Sequence, residues 1–496
     1  MTQPERGILG KHSRPASDED TLEFKAIPKT IEPVRLSTIR AYEPDRHPIK
    51  RLLGETAAHR IRVTVLMAGA LAGLYALQAY LWPRSASSSN PIEEAWSWMG
   101  LLWVIGIFPA VCELTGLYLW HAPRAAPRHI RQVVSWRVVS KGENTEALTG
   151  TIEAIRREMK AMPLFRYVIE VLVDVNTEAV GLPPEEDELH YIRVPKIYET
   201  LNETRAKARA LHYALQTSPL QREAWIVHMD EESHPTSSSI AGIAAAIMEE
   251  ERDNPDSPRI GQGTITYHRN WKKHPFFTLS DCVRSGSDRG RLYLSMKAGV
   301  PLFGLHGSFI VIRNDVELRQ GFDVGPIGSL TEDAWWGTIA MADGLRCRWV
   351  EGNVSEQCTE RLEDFAQQRR RWFNGMGRTA FRAPAPFRWR ISLMASMTAW
   401  AVAPIAWVYT VAHLVAGGYI SPEIRLMANF ALAVYIATTL VGLQLNLTEH
   451  GIFHPLEKLR WGITWLICLP VFSLMEAIAV AWAMIDPVKT FYVVKK

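Results

Sequence analysis

The sequence lacks the marks of several function classes. Its five cysteines, Cys112, Cys282, Cys347, Cys358 and Cys468, form no C-x-x-C pair and no metal-ligand spacing. That pattern fits unpaired thiols in a reducing compartment better than a disulfide framework or a thiolate metal centre. Charge of one sign is not in excess: Lys+Arg is 55 against Asp+Glu 52, a formal net charge of +3. So even a balance argues against a dedicated nucleic-acid binder. There is no P-loop, and no G-x-G-x-x-G follows a strand-like run. No apolar core follows the start, so residues 1–48, rich in proline and charges of both signs, read as a disordered tail and not as a signal peptide. With 47% apolar and 22% charged residues, the rest is neither disordered nor fibrous.

The apolar residues are gathered into long runs. Val63 to Trp82 holds no Asp, Glu, Lys or Arg, and Ala95 to Trp120 is interrupted only by Glu113. Each is long enough to cross a hydrocarbon core as a helix, and the short Pro83–Glu94 link makes them a hairpin. Lys50, Arg51, Arg60 and Arg62 precede the first run and Arg124, Arg128 and Arg131 follow the second, with only Arg84 between. The excess of positive charge puts both flanks in the cytoplasm. Ile391–Val415, Leu426–Asn446 and Trp461–Ile485 are further apolar runs, the last carrying Pro470 and Glu476. Five full crossings would leave the C-terminus outside, yet Phe491–Lys496 is basic and looks inside. One apolar run is therefore expected to be re-entrant or interfacial. The 18 tryptophans suit membrane interfaces and sugar-facing clefts.

Between the two membrane regions, strand-length runs at Val133–Val139, Tyr167–Asp174, Ala224–Met229, Gly261–Tyr267 and Ser308–Ile312 alternate with helical patterns. Those are Thr145–Lys160, Glu203–Ala214, Ser238–Arg252 and Asp333–Ala342. Alternation of this kind predicts an α/β domain, a mostly parallel sheet with helices on both faces. The expected organisation is a tail (1–48), a transmembrane hairpin (49–125), an α/β domain (126–388) and a C-terminal transmembrane region with a basic tail (389–496).

Three motifs carry chemistry. Trp225-Ile-Val-His-Met-Asp230-Glu231-Glu232 is an apolar strand ending in three acids, which can hold a hard divalent cation or form a solvated turn. Thr331-Glu332-Asp333 offers a carboxylate base or a helix cap, and both can hold together. Gln368-Arg-Arg-Arg371-Trp372, a Q-x-x-R-W pattern, offers diphosphate and sugar contacts or a juxtamembrane basic helix.

Their order in one domain flanked by membrane runs resembles the family 2 glycosyltransferases of the processive-synthase branch. The likeness is nearest to egghead-like β-mannosyltransferases in the wording Ile226–Glu232, Ile260–Tyr267, Gln367–Trp372 and Phe491–Lys496. The resemblance implies a GT-A-type fold, a nucleotide-sugar donor (GDP-mannose or a UDP-hexose) and a lipid or glycan acceptor. It implies no nucleic-acid partner and a multi-pass place in the cell membrane with the catalytic domain cytoplasmic. It assigns Asp230 and Glu232 to a Mg²⁺ or Mn²⁺ ion on the donor diphosphate, with Glu in the second acidic place of D-x-D. Asp333 becomes the catalytic base with Glu332 beside it, and Gln368, Arg371 and Trp372 close over diphosphate and acceptor. Asp174 and Lys207 are weaker donor-site candidates, Ser140 and Lys141 weaker still, and His306-Gly307-Ser308 falls on the acceptor side. Asp323 in Gly321-Phe-Asp is expected to order its loop. Glu113 and Glu476 are candidate pathway groups or helix-pairing acids. A reading from another class, a transporter or receptor with a regulatory nucleotide-binding domain, would make Asp333 dispensable.

Overall fold

The computed structural model describes residues 54–81, 90–123, 128–174 and 181–488. The tail, the basic residues Lys50, Arg51, Arg84 and Arg124, and the terminal Phe491–Lys496 lie outside the described residues.

A seven-stranded sheet runs β3-β2-β1-β4-β6-β5-β7. Its strands are β1 (Val133–Ser140), β2 (Arg166–Val173), β3 (Leu189–Arg193), β4 (Trp225–Asp230), β5 (Ile260–Thr266), β6 (Ile310–Arg313) and β7 (Cys347–Ser355). Pairing is parallel except where β6 lies antiparallel to β4 and β5. Side chains alternate between the two faces of each strand; on β1 one face is apolar, while the other carries buried Ser135 and Arg137, held by Glu170 and Glu317. Val134, Trp136 and Val138 turn to a core filled by Leu148, Ile152 and Ile155 of α4 (Thr145–Ala161) and Ile240, Ile243 and Ile247 of α6 (Ser237–Asp253). Ile226, Ile310 and Ile312 turn to the opposite core, against Leu211 of α5 (Ala206–Thr217) and Trp336 of α11 (Glu332–Ala342). Helices on both faces of a mostly parallel sheet are as expected. Two strands, β3 and β7, and several helices are additions to the sequence reading.

Those helices lie among the strands and between the sheet and the long apolar helices. They are α7 (Pro275–Ser287), a π-helical turn over Asp288–Leu292, α8 (Tyr293–Ala298), α9 (Asn314–Gln320), α10 (Gly325–Gly328) and α12 (Leu362–Arg382), which carries the Q-x-x-R-W motif. Helices α1 (Glu55–Leu81), α13 (Phe387–Ala416), α14 (Pro422–Glu449) and α15 (Pro455–Ile485) are long and apolar enough to cross a membrane. So is the pair α2 (Pro91–Val104) and α3 (Ile107–Leu119), bent by 42°. Glycines let α7 and α14 meet backbone to backbone: a Cβ on Gly442 would stand 1.9 Å from the Cys282 carbonyl oxygen, and one on Gly286 2.0 Å from that of Thr438.

Both ends of α15 contact other elements of the molecule. Near its start, Lys458 donates to Thr448 Oγ1 at 2.9 Å, and Trp461 meets Trp271 edge-on at 4.9 Å. Near its end, Asn374 of α12 donates to the Ala483 carbonyl at 3.1 Å, and Arg370 donates to the Asp486 carbonyl at 2.9 Å.

Candidate active site

Parallel pairing brings the ends of β1, β2 and β4 to one edge of the sheet: Val139 lies opposite Asp230, and Ser140 opposite Val173. Ser140 donates to Glu231 Oε2 at 2.5 Å and accepts from the Gly142 N–H at 2.9 Å, where Gly142 takes φ +74°. Asp174, just past β2, pairs with Arg209 of α5. Lys207, on the same helix, donates to Asp230 and, at 2.7 Å, to the Gly307 carbonyl, and lies 3.7 Å from Glu332 Oε1. Burial works against the Lys207 charge, but Asp230 and Glu332 outweigh it and hold the ammonium above its ordinary range.

Asp333 opens α11 from the far side of the same space. A Cβ built on Gly307 would lie 3.0 Å from Lys207 Nζ and 3.3 Å from Asp333 Oδ2. A methyl at Gly307 would crowd both charged groups, which would have to give by a few tenths of an ångström. Asp333 Oδ1 accepts from the Ala334 N–H at 2.8 Å. Burial first, and then the Glu332 carboxylate beside it, push the Asp333 carboxyl up to about 7, with Lys207 opposing. The expectation that Thr331 caps this helix through its hydroxyl fails: Thr331 Oγ1 is buried without a hydrogen bond. Asp333 has taken a first-turn N–H, and Thr331 presses on α12, where a Gly375 Cβ would stand 2.5 Å from its Cγ2.

Helix α12 closes the third side. Arg371 is half-buried and faces Glu332, Asp333, Asp230 and Glu232; desolvation lowers its pKa and the four carboxylates oppose that. Arg369 donates to Asp281 at 2.5 Å, to Glu476 at 2.6 Å and to Gln368 Oε1 at 2.8 Å. That last bond turns the Gln368 oxygen towards Arg369. Two guanidinium groups lie over the Trp372 ring, Arg284 at 4.3 Å and Arg369 at 4.5 Å from its centroid. Arg284 also lies 4.4 Å over Tyr267, and Arg369 4.4 Å over Phe365. Cations and rings therefore alternate from Tyr267 to Phe365, and sequence spacing gave no sign of this stack.

Asp174, Lys207, Asp230, Glu232, Glu332, Asp333, Gln368, Arg371 and Trp372 all line one cavity of about 1300 Å³. It continues past His306, Asp288 and Arg284 between the apolar helices, reaching Trp407 of α13 and Asn429 of α14. Glu113 and Glu476 line it too, and both are paired: Glu113 with Arg291 at 3.1 Å, Glu476 with Arg369. Burial pushes His306 down to about 3, so it is a neutral ring, 3.4 Å from Asp288. Asp323 stands apart, accepting from the Asn202 N–H at 3.1 Å and Thr204 Oγ1 at 2.7 Å to order its loop.

Residues 225–445 match the family described as glycosyl transferase family group 2. The chain is 30% identical over 368 residues to beta-1,4-mannosyltransferase bre-3 of Caenorhabditis elegans, covering 70% of this chain and 78% of that protein. The chain belongs to the family 2 glycosyltransferases. It is also 29% identical over 371 residues to beta-1,4-mannosyltransferase egh of Drosophila melanogaster, covering 73% of this chain and 77% of that one. A solved structure, mannosyltransferase PcManGT from Pyrobaculum calidifontis in complex with GDP-Man and Mn2+, is similar at 16% identity and a TM-score of 0.45. It covers 79% of this chain and 99% of that one.

Among the described residues of this glycosyltransferase, no three or more His, Cys, Asp and Glu side chains are arranged to enclose a metal ion. A dedicated cage is not the arrangement a substrate-bridging Mg²⁺ or Mn²⁺ needs; such ions take one or two carboxylates and complete their shell with phosphate oxygens and water. Asp230 and Glu232, two hard oxygen donors at a cavity wall, fit that donor set.

Proposed function

We propose that this glycosyltransferase is membrane-embedded and inverting, and moves a hexose from a nucleotide sugar to a lipid-linked or polysaccharide acceptor. The names of the relatives make GDP-mannose the first donor to test. The observation that carries the reading is the convergence of Asp333, Lys207 and Arg371 in a cavity that continues between apolar helices.

Asp333 takes the proton from the acceptor hydroxyl as that oxygen attacks the anomeric carbon. The bond from that carbon to the diphosphate breaks on the opposite side, and the electron pair leaves with the nucleoside diphosphate. One displacement turns an α-linked donor into a β-linked product. Asp230 and Glu232 would hold a divalent cation, which when bound would offset charge on the departing diphosphate. Arg371 and Lys207 add cationic donors around the same leaving group. Gln368, its oxygen held by Arg369, lines the same cavity.

The same reading places α1, the bent α2–α3 pair, α13 and α14 as four crossings. α15 is the interfacial helix, with both ends on the catalytic side and its lipid face formed by Leu459, Ile463, Ile467 and Ile478. Four crossings put both flanks in the cytoplasm, in keeping with the basic residues at each end.

The test is purified protein in nanodiscs with Mn²⁺ and a panel of GDP- and UDP-sugars, following nucleoside diphosphate release. Release with a single donor, lost in Asp333→Asn, is expected. Equal release from the variant overturns the assignment of the base.

A further inference from the structure

We infer that Arg284 is the acceptor-recognition residue of this cavity and that the acceptor lipid carries a phosphate or diphosphate between its chain and its reacting sugar. This rests on the glycosyl-transfer reading above and names its acceptor class.

Arg284 differs from the cations around it. Lys207 is held by Asp230 and Glu332, Arg291 by Glu113, Arg369 by Asp281 and Glu476, and Arg371 faces four carboxylates. Arg284 lines the same cavity, and among the described residues it has no ion pair and no hydrogen bond; its contacts are the rings of Tyr267 and Trp372. Rings over a guanidinium cover its faces and leave its N–H groups to act in the plane, along its edge. A planar fork of donors with uncompensated charge matches phosphate oxygens, which it can bind with two parallel hydrogen bonds. A neutral sugar hydroxyl would leave the positive charge unbalanced in a partly desolvated site. The acid one turn on, Asp288, is directed elsewhere: it accepts from the Ile265 N–H at 2.8 Å and lies 3.4 Å from His306 Nε2.

Position supports the same ligand. Arg284 lies two residues from Gly286, where α7 touches the α14 backbone at Thr438, so it stands where the catalytic layer meets the membrane helices. On the catalytic side the cavity walls are Asp333 and Gly307; on the other they are Trp407, Leu432 and Leu466. A lipid whose chain occupies the apolar half and whose sugar reaches Asp333 must pass its linking group by Arg284. The phosphate there is bound and not consumed; the bonds made and broken are those of the transfer step.

The experiment uses the full chain in phosphatidylcholine nanodiscs with the donor that supports release. It compares two acceptors, glucose linked to a polyprenyl diphosphate and a neutral glucosylceramide. The wild type is expected to favour the diphosphate-linked acceptor at least ten-fold in kcat/KM. Arg284→Gln should abolish that preference through the acceptor KM while leaving the donor KM unchanged, and Arg284→Lys should keep part of it. Binding of the diphosphate lipid without donor, read by native mass spectrometry, should weaken in Arg284→Gln whatever the turnover. An equal or greater preference for the neutral lipid overturns the inference, as does an unchanged diphosphate-lipid affinity in the variant. Absence of release with every donor and acceptor instead counts against the glycosyl-transfer reading, and the binding comparison still decides the role of Arg284.

Discussion

Arg369 and Glu476 are joined at 2.6 Å across two helices: the one that carries the Q-x-x-R-W motif and the last apolar helix of the chain. The bond ties a membrane-side element to a catalytic one, since the same guanidinium fixes Gln368 and lies over Trp372. Glu476→Ala should therefore loosen the motif. Asp281 still holds Arg369, so the loss should stay near about 1–3 kcal/mol, as for a hydrogen bond to a charged group. The check is a thermal unfolding scan with acceptor kinetics: Glu476→Gln is expected to keep the fold and lose less activity than Glu476→Ala.

Asp333→Asn keeps the shape of the site and removes the base. Turnover should fall by about 10²–10⁴-fold. Donor affinity, measured by calorimetry with the nucleotide sugar, should stay within a few-fold of the wild type.

The pH dependence follows from the same carboxyl. Burial and then Glu332 raise it to about 7 in the folded site. A base must be ionised, so activity is present above that pKa and is lost as the pH falls through it. kcat/KM for transfer should decline about ten-fold per unit on the acid side. A profile that stays flat from about pH 5.5 to about 8.5 is the contrary outcome.

Much of this site was legible in the sequence, because its acids stand at strand and helix ends where apolar runs stop. Asp230 ends a six-residue strand whose other residues are mostly apolar, and Asp333 follows a helix start. Strands β1, β2, β4, β5 and β6 announced themselves by β-branched runs. β3 and β7 did not: Leu-His-Tyr-Ile-Arg is a short edge strand, and β7 interrupts its pattern with Arg348, Glu351, Gly352 and Asn353. Hydropathy could mark α15 as apolar but not show the contacts of its two ends with Trp271 and with α12. Arg284 was invisible because its meaning depends on two rings, Tyr267 and Trp372, that lie 17 residues before and 88 after it in the chain.

Removing divalent cation should abolish release. Asp230→Asn and Glu232→Gln should each raise the Mn²⁺ concentration for half-maximal activity by about ten-fold or more, since an oxygen ligand loses its charge. Glu231→Gln, whose carboxylate accepts from Ser140 instead, should change it much less.

The α7–α14 contact has no room for a side chain at Gly442. Gly442→Val should cost about 1–3 kcal/mol or more from overpacking. Gly462→Ala, where the nearest atom is Leu440 Cδ2 at 3.7 Å, should be close to neutral. Unfolding temperatures in detergent separate the two.

The most direct measurement is the anomeric configuration of the first product made from an α-linked nucleotide sugar, read by the one-bond C–H coupling at the new linkage. A single displacement with Asp333 as base gives the β-anomer. An α-linked product would require a second displacement or front-face attack, and would contradict the mechanism assigned to this site.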